Sequence, residues 1–211
     1  MNPIKAIWIT RHGSTGYNDQ DLLQGRIDNT LSERGVREAE LLSGRLRRET
    51  IDVIFHSPLT RARQTAEIIN RHHQVELKSV AAFIEIDMGT WEGLNFLDVI
   101  KEKPKIYHDW LIDPETQVPG GESFSQVFAR VKPGVEEILT SKEKNILIVA
   151  HAMVNRAVLG NLLGMPILSA RRFRTRNCSL SKLTVYQTEG EQYIGVDTWN
   201  STDHLQMDQP V

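Results

Sequence analysis

Short apolar runs alternate along the chain with longer segments in which apolar residues recur at helical spacing. Three of the runs, 6–10 (AIWIT), 51–55 (IDVIF) and 145–150 (NILIVA), predict strands because they are short and rich in β-branched residues. The segments between them predict helices. This alternation is typical of an α/β fold with a largely parallel sheet.

Helix signals follow the first and second strands. In the stretch TLSERG, Thr30 precedes Glu33 by three residues, which is the pattern of a capping box. The apolar residues that follow at helical spacing are Val36, Ala39, Leu42 and Leu46. A second helix is predicted over 61–73. Farther along, Ser123 is a predicted N-cap for a helix whose apolar positions are Val127, Val131, Val135 and Ile138.

The rest of the pattern predicts an insertion and a hairpin. Residues 94–112 mix apolar and charged positions around Pro104 and predict short helices, so we take 88–122 as a helical lid. Residues 180–200 predict a hairpin that turns near Glu189 and Gly190. Since no repeat, low-complexity segment or linker divides the chain, we expect a single domain over 1–211.

Composition narrows the classes of function. The 211 residues carry a net charge of −2, so no global basic field exists to bind nucleic acid or a membrane surface, and we expect neither partner. The single cysteine, Cys178, excludes an internal disulfide and a Cys-rich zinc site. Without a signal-peptide pattern or a long apolar run, the sequence predicts a cytoplasmic protein.

Two arginines and two histidines lie where predicted strands end. Arg11 and His12 follow the first strand, Arg61 follows the second by one turn, and His151 ends the third. Any one of them alone would more often be a surface or structural residue. Ligands of open α/β sheets bind at the carboxyl ends of strands, so the four side chains can converge there. Together they supply what a phosphoryl group needs in the absence of a metal ion.

Seven segments then occur in a characteristic order: TRHGSTGYN, LLQGRIDNTLSERG, SPLTRARQTA, IEIDMGTWEG, PGGES, VAHAMVNRAVL and NSTDHL. With these segments, the chain from residue 7 to about 205 resembles the histidine phosphatase superfamily, also called the phosphoglycerate mutase-like family. The resemblance implies a three-layer α/β/α sandwich with a mostly parallel central sheet, and catalysis through a phosphohistidine.

The resemblance also implies roles for individual residues. His12 would be the nucleophile, Arg11 and Arg61 would clamp the phosphoryl oxygens, and His151 would donate a further hydrogen bond to that group. Glu85 would donate and accept the proton, for which we expect it to be partly buried. A neutral imidazole needs its second nitrogen held by a carbonyl or carboxylate, and Gly13 suits the tight turn there. No metal or other cofactor is then required, because these side chains supply the charge.

Further positions match the family's phosphate-binding and substrate-binding residues. They are Asn18, Gln24 and Gly25, together with the position after the second histidine. That position is usually glycine in the family and is Ala152 here, where the backbone amide should still be offered. Asp87, two residues after Glu85, would tune Glu85, contact a substrate amine or be a simple surface charge.

The sequence favours transfer of the phosphoryl group to water, as in a phosphatase, over its transfer to a second hydroxyl group, as in a mutase. In the mutase branch the glutamate precedes His and Tyr and a longer insertion with paired arginines. Here Ile86 and Asp87 follow Glu85, no arginine occurs between Glu85 and Gly120, and the insertion is short. We therefore expect a phosphomonoesterase acting on a small phosphorylated metabolite such as phosphoserine, a sugar phosphate or α-ribazole phosphate. The alternatives are a cofactor-dependent phosphoglycerate mutase and, less favoured, an inactive binding or regulatory member.

Several features stay open at this point. Phe83, Trp91, Phe96, Tyr107 and Trp110 either roof the pocket or belong to the core. The arginine-rich stretch 170–177 (ARRFRTRN) is a solvated loop or a loop that grips an anionic substrate, and is disfavoured as a nucleic-acid patch. Whether the chain forms a homodimer is also open.

Overall fold

The computed structural model of the protein describes residues 2–206. The strands are Asn2–Arg11 (β1), Val53–His56 (β2), Glu76–Ser79 (β3), Asn145–Ala150 (β4), Leu180–Gln187 (β5) and Gln192–Ser201 (β6). The α-helices are Gly16–Asp19 (α1), Glu33–Leu46 (α2), Thr60–Asn70 (α3), Phe96–Glu102 (α4), Pro104–Ile112 (α5), Phe124–Thr140 (α6), Ala152–Leu163 (α7) and Ile167–Arg171 (α8). Three 3₁₀ turns cover Ala81–Phe83, Gly89–Trp91 and Asp203–Leu205.

The strands form one sheet in the order β3-β2-β4-β1-β5-β6. The first four strands of that order run parallel, and β5 and β6 continue the sheet antiparallel to β1 as a hairpin. The predicted mostly parallel sheet is therefore confirmed, and the turn of the hairpin lies between Gln187 and Gln192 as expected.

Successive residues of the central strands are apolar, and alternate residues of a strand point to opposite sides of the sheet. Both faces of the sheet are therefore apolar there. On one face the strands pack against α6 and α7, and on the other against α2 and α3. The first core includes Ile7, Ile9, Ile146 and Ile148 with Val127, Val131 and Val158 of the helices. The second includes Trp8, Ile54, Leu147 and Val149 with Ala39, Leu42 and Ile69. These three layers confirm the α/β/α sandwich.

The start of α2 differs from the sequence prediction. The capping box at Thr30 and Glu33 is wrong, since the N-cap is Ser32, whose hydroxyl oxygen accepts a hydrogen bond from the Gly35 N–H at 3.3 Å. Ser32 N–H also donates to the carbonyl of Ser14 at 2.9 Å. This long-range contact fixes where the helix begins. At the predicted N-cap, Ser123 does cap α6, with a complete capping box that includes Gln126.

The remaining predicted helices are present with shorter bounds. The helix expected over 61–73 is Thr60–Asn70, and the helical segment around Pro104 is divided into α4 and α5. Pro104 is the first residue of α5. The N–H of a first helical residue makes no hydrogen bond within the helix, so proline is tolerated there. The sequence does not predict strand β3, because apolar and polar residues do not alternate regularly in its four residues. The strand lies at the edge of the sheet, where its side chains are not fully buried. None of the helices in residues 2–206 is long and apolar enough to cross a membrane.

Candidate active site

Three neighbouring strands in the middle of the sheet bring the predicted strand-end residues together at their carboxyl ends. Strand β4 lies between β1 and β2 and is parallel to both, so all three carboxyl ends point the same way. The His12 N–H donates to the Ala150 carbonyl at 3.0 Å, and the Ser57 N–H donates to the Val149 carbonyl at 3.0 Å. The residues that follow the three strands are therefore hydrogen-bonded neighbours.

Hydrogen bonds to both ring nitrogens of His12 determine its tautomer. Its Nδ1 lies 2.7 Å from the carbonyl oxygen of Gly13 and must carry the proton, because a carbonyl can only accept. The Nε2 atom then holds a lone pair, and Arg61 Nε donates to it at 3.2 Å. Burial, followed by the charges of Arg61 and Arg11, holds the pKa of His12 well below its ordinary value of 6.5. The ring is thus neutral near pH 7.

The loop that carries His12 is packed directly on the start of α2. A Cβ atom on Gly13 would lie 2.4 Å from the carbonyl oxygen of Gly35, and one on Gly35 would lie 1.9 Å from that of Ser14. Gly13 has no left-handed φ, so close approach of two backbones, rather than the tight turn expected from sequence, requires glycine. Glu38 completes the attachment by accepting from Ser14 N–H at 2.8 Å and from its hydroxyl at 2.9 Å.

Arg61 is almost completely buried, at 1% exposure, and holds its surroundings by all three nitrogens. Besides the Nε bond to His12, Nη1 donates to the Ile27 carbonyl at 2.7 Å and Nη2 to the Gly25 carbonyl at 2.8 Å. Burial lowers the pKa of Arg61 to about 10, which leaves it charged at neutral pH. The guanidinium keeps two of its five N–H groups for another acceptor.

His151 caps the start of α7 beside His12, with ring centroids 5.1 Å apart. Its Nε2 lies 2.7 Å from Ser57 Oγ, which already accepts from the Leu59 N–H. The Ser57 hydroxyl keeps its own proton to donate, and a hydrogen bond from it to Nε2 would place the ring proton on Nδ1. Within residues 2–206, Nδ1 has no hydrogen-bond partner. Burial, with the charge of Arg61, holds the pKa of His151 well below 6.5.

Glu85 lies in the loop after the Ala81–Phe83 turn and is 9% exposed. Its carboxylate accepts from the Ile86 N–H at 2.9 Å and more weakly from the Met153 N–H at 3.4 Å. Its carbonyl is held by Arg130 at 3.1 Å. The partial burial expected from the sequence is present.

An ionic network supports this loop. Glu122 accepts from Arg130 Nε at 3.0 Å and pairs with Arg26 at 2.9 Å. Burial works against ionisation of Glu122, but the hydrogen bond and charge of Arg130 lower its pKa below the ordinary value. Asp87 accepts from the Gly89 N–H at 2.8 Å and pairs with Arg26 at 3.5 Å. Asp87 is thus part of this support and does not line the cavity beside Glu85.

The site surrounds a cavity of about 260 Å³. Eight of the nine predicted site residues line it, namely Arg11, His12, Asn18, Gln24, Gly25, Arg61, Glu85 and Ala152. The ninth, His151, is fully buried beside His12 rather than in the wall. Of the aromatic candidates, Phe96 and Trp110 line the cavity, whereas Phe83 and Trp91 are core residues.

Two amides in the wall are oriented by their neighbours. The Asn18 side-chain oxygen accepts from the Thr15 N–H at 3.2 Å and from Asn177 at 3.3 Å. The Gln24 oxygen accepts from the Thr15 hydroxyl at 2.9 Å. Because the oxygens are taken, Asn18 and Gln24 offer their NH₂ groups to a ligand.

Three site residues escaped the sequence analysis. Arg156 lines the cavity, Ser57 holds His151, and Asn177 donates to the His12 carbonyl at 2.9 Å. Ser57 directly follows the second strand, so the strand-end argument that found His12 applies to it as well. Arg156 has a weaker signal, a cation little more than one turn after His151. The side chain of Asn177 meets the site only through tertiary structure.

The comparisons with known proteins agree with this geometry. Residues 7–200 match the profile of a protein family described as "Histidine phosphatase superfamily (branch 1)". The chain belongs to this superfamily. The resemblance stated from sequence is therefore confirmed.

Individual relatives carry different names. The chain is 34% identical to "Phosphoserine phosphatase 1" of Hydrogenobacter thermophilus over 82% of this chain and 83% of that protein. It is 31% identical to "Probable phosphoglycerate mutase GpmB" of Proteus mirabilis over 94% of both. The solved structure of the α-ribazole phosphatase from Shigella flexneri matches with a TM-score of 0.81 and 27% identity, over 93% of this chain and 96% of that one.

Proposed function

We propose that the protein is a metal-independent phosphomonoesterase that works through phospho-His12 on a small phosphorylated metabolite. The observation that carries this proposal is the state of His12, which lines the cavity: a neutral ring whose Nδ1 proton is fixed on the Gly13 carbonyl and whose Nε2 lone pair accepts from Arg61 Nε. A neutral imidazole held in one tautomer is a nucleophile ready for phosphorus.

In the first step, the Arg61 Nε–H turns from His12 Nε2 to a phosphoryl oxygen. The freed Nε2 lone pair then attacks phosphorus, and the ester P–O bond breaks. Glu85, in its carboxylic acid form, gives its proton to the leaving alkoxide. In the second step Glu85 takes a proton from water, the oxygen of that water attacks phosphorus, and the P–N bond breaks. Neutral His12 and inorganic phosphate result. One carboxylate on the cavity wall can serve both steps because it ends each cycle protonated, as it began.

Positive charge around the phosphoryl oxygens supports both steps. Arg11, Arg61 and Arg156 line the cavity, against the single carboxylate Glu85. His151 adds a neutral donor when the Ser57 hydroxyl donates to its Nε2, because the ring proton is then on Nδ1, which has no partner within residues 2–206. Guanidinium groups bind two oxygens at once and stay charged, so they perform the electrostatic role for which many phosphoryl-transfer enzymes use Mg²⁺.

The segment 88–122 is part of the proposal as a lid. It contributes Met88, Phe96 and Trp110 to the cavity wall, and these apolar side chains would limit access of bulk water to the phosphoenzyme. A cytoplasmic location completes the proposal and is supported by the single, buried and unpaired thiol of Cys178.

The test is a phosphate-release screen over phosphoserine, phosphoglycerates, sugar phosphates and α-ribazole phosphate, with and without EDTA. We expect release that resists EDTA, is lost in His12→Ala and is kept in the control His72→Ala, whose side chain is exposed. Quenching with denaturant at alkaline pH, where a phosphohistidine survives, should trap one phosphoryl group on the peptide that contains His12. Activity lost in EDTA, or full activity in His12→Ala, would overturn the mechanism.

A mutase is the second candidate, because of the 31% identity to a protein named as a phosphoglycerate mutase. The same assay separates the two. Efficient exchange of 3-phosphoglycerate and 2-phosphoglycerate with little release of phosphate would favour the mutase. No paired arginines occur between Glu85 and Gly120 to hold a second phosphate from the lid side, which supports hydrolysis.

A further inference from the structure

A second cavity, of about 660 Å³, adjoins the catalytic one and shares Arg11 and Arg156 with it. We call it the arginine cavity, because its wall contains Arg11, Arg34, Arg156, Arg174 and Arg176. Two of these arginines belong to the stretch 170–177 whose role the sequence left open. The cavity lies on the side of Arg11 where that stretch passes before β5.

The arginine cavity has an excess of positive charge. Its carboxylate, Glu38, is taken up by Arg34 at 2.9 Å and by both polar groups of Ser14. Among residues 2–206, Arg11, Arg156, Arg174 and Arg176 have no carboxylate within ion-pair distance. Four unpaired cations on one wall are unusual in a chain of net charge −2.

Arg11 and Arg156, the two arginines shared with the catalytic cavity, are held by hydrogen bonds to backbone carbonyls and not by ion pairs. Arg156 Nε donates to the Phe173 carbonyl at 2.7 Å, and Arg11 Nη1 donates to the Thr175 carbonyl at 3.2 Å. Burial lowers the pKa of Arg156 from its ordinary value, Glu85 opposes this, and the neighbouring charge of Arg174 lowers it further. These cations therefore repel each other, and a bound anion would relieve that repulsion.

Two buried polar atoms on the wall also have no partner in the described part of the chain. They are Arg11 Nε and the hydroxyl of Thr175, a residue that is 9% exposed. Buried polar groups are normally hydrogen-bonded, so two unpaired donors on the wall favour a ligand that carries acceptor oxygens.

We propose that the arginine cavity binds a second oxyanion of the substrate, a carboxylate on the same molecule whose phosphoester reacts at His12. Arg174 and Arg176 are its outer donors, and Arg156 lies between the two anions. The inference rests on the proposed function and deepens it, because it assigns the substrate to phosphomonoesters that carry a second anionic group.

The test uses matched substrates that differ only by a carboxylate in place of CH₂OH. The short pair is 3-phosphoglycerate and glycerol 3-phosphate, and the long pair is 6-phosphogluconate and glucitol 6-phosphate. In at least one pair, we expect kcat/KM of the wild-type protein to favour the carboxylate by about tenfold or more, as is usual for charge-assisted hydrogen bonds.

The double variant R174Q/R176Q should reduce that preference to about twofold or less, by lowering kcat/KM of the carboxylate substrate alone. Both side chains are exposed, so the fold should persist, which a thermal unfolding curve verifies. The matched control R47Q/R172Q removes the same charge from exposed residues outside both cavities and should keep the preference.

The outcomes separate the two proposals. If release depends on His12 but shows no carboxylate preference in either pair, or if R174Q/R176Q keeps the preference, the arginine cavity is not a substrate subsite. An equal loss on both members of a pair also overturns it. If the wild-type protein releases no phosphate from any substrate in the screen, the proposed function fails, and the inference fails with it.

Discussion

His12 shows how single hydrogen bonds set the chemistry of the site. The Gly13 carbonyl selects the Nδ1–H tautomer, and Arg61 presents a donor to Nε2 that an imidazolium could not accept. Two nearby guanidinium groups and complete burial oppose protonation of the ring. The residues that will hold the phosphoryl group therefore also keep the nucleophile neutral.

One prediction concerns the titration of this ring. Because the pKa of His12 is lowered well below 6.5, its imidazole should stay neutral when the pH is reduced from 8 to about 6. ¹⁵N NMR of the ring should show Nδ1 protonated and Nε2 unprotonated over that range, with a histidine-containing peptide as reference. Protonation of His12 at or above pH 6.5 would contradict the assignment.

A second prediction concerns Arg61. Arg61→Lys should lower kcat by roughly 10²-fold or more, because an ammonium cannot hold His12, Gly25 and Ile27 together as the guanidinium does. Steady-state phosphate release measures the effect. Arg63→Lys, two residues along α3 in an exposed pair with Glu67, is the control and should leave kcat unchanged. Equal rates for the two variants would remove Arg61 from the mechanism.

At the scale of elements, contacts between segments distant in sequence decide where the site loop lies. Helix α2 starts where Ser32 meets Ser14, and α3 starts where the carboxylate of Asp28 accepts from the Thr60 N–H at 2.7 Å and its hydroxyl at 2.9 Å. Asp28 thus acts as a cap from another part of the chain, directly before Arg61. Local capping patterns do not detect such partners, which is why the box at Thr30 failed.

The two glycines of α2 provide a test of the loop–helix contact. Gly35→Ala should lower the free energy of unfolding by about 1–3 kcal/mol, because the new methyl group would collide with the Ser14 backbone. Gly44→Ala, in the same helix with nothing within 4 Å of the added Cβ, should instead raise it by up to about 1 kcal/mol. Denaturant unfolding compares the two variants, and a neutral Gly35→Ala would contradict the tight packing.

At the scale of the whole molecule, the fold buries several histidines in their neutral form. Burial lowers the pKa of His12 and His151 well below 6.5, and it also lowers the pKa of His73 and His204. In the unfolded chain these rings titrate near 6.5. Folding and proton uptake by these residues therefore oppose each other.

The consequence is a stability that declines in mild acid. As the pH falls below about 6.5, the unfolded state binds protons that the native state does not. The free energy of unfolding should therefore fall by up to about 1.4 kcal/mol per pH unit for each of the fully buried residues His12 and His151. Urea unfolding between pH 7.5 and 5.5 measures the slope. His12→Gln and His151→Gln should each reduce it, whereas stability that rises on acidification would refute the neutral state of these rings.

The sequence by itself determined the alternation of strands and helices, the family, and the residue types of the site. Apolar periodicity depends on local spacing, and His12, Glu85 and His151 lie in ordered motifs that can be recognised without coordinates. Most of the cavity wall was predictable for the same reason.

Only the tertiary structure decided which groups hold each other. The order β2-β4-β1 places strand ends from distant parts of the sequence side by side, and the same convergence brings Asn177 to His12 and assigns Asp87 to Arg26. It also places Arg174 and Arg176 against Arg156 to form the arginine cavity. Hydrogen bonds, burial and repulsion between charges depend on distances in space, and one-dimensional spacing does not contain these distances.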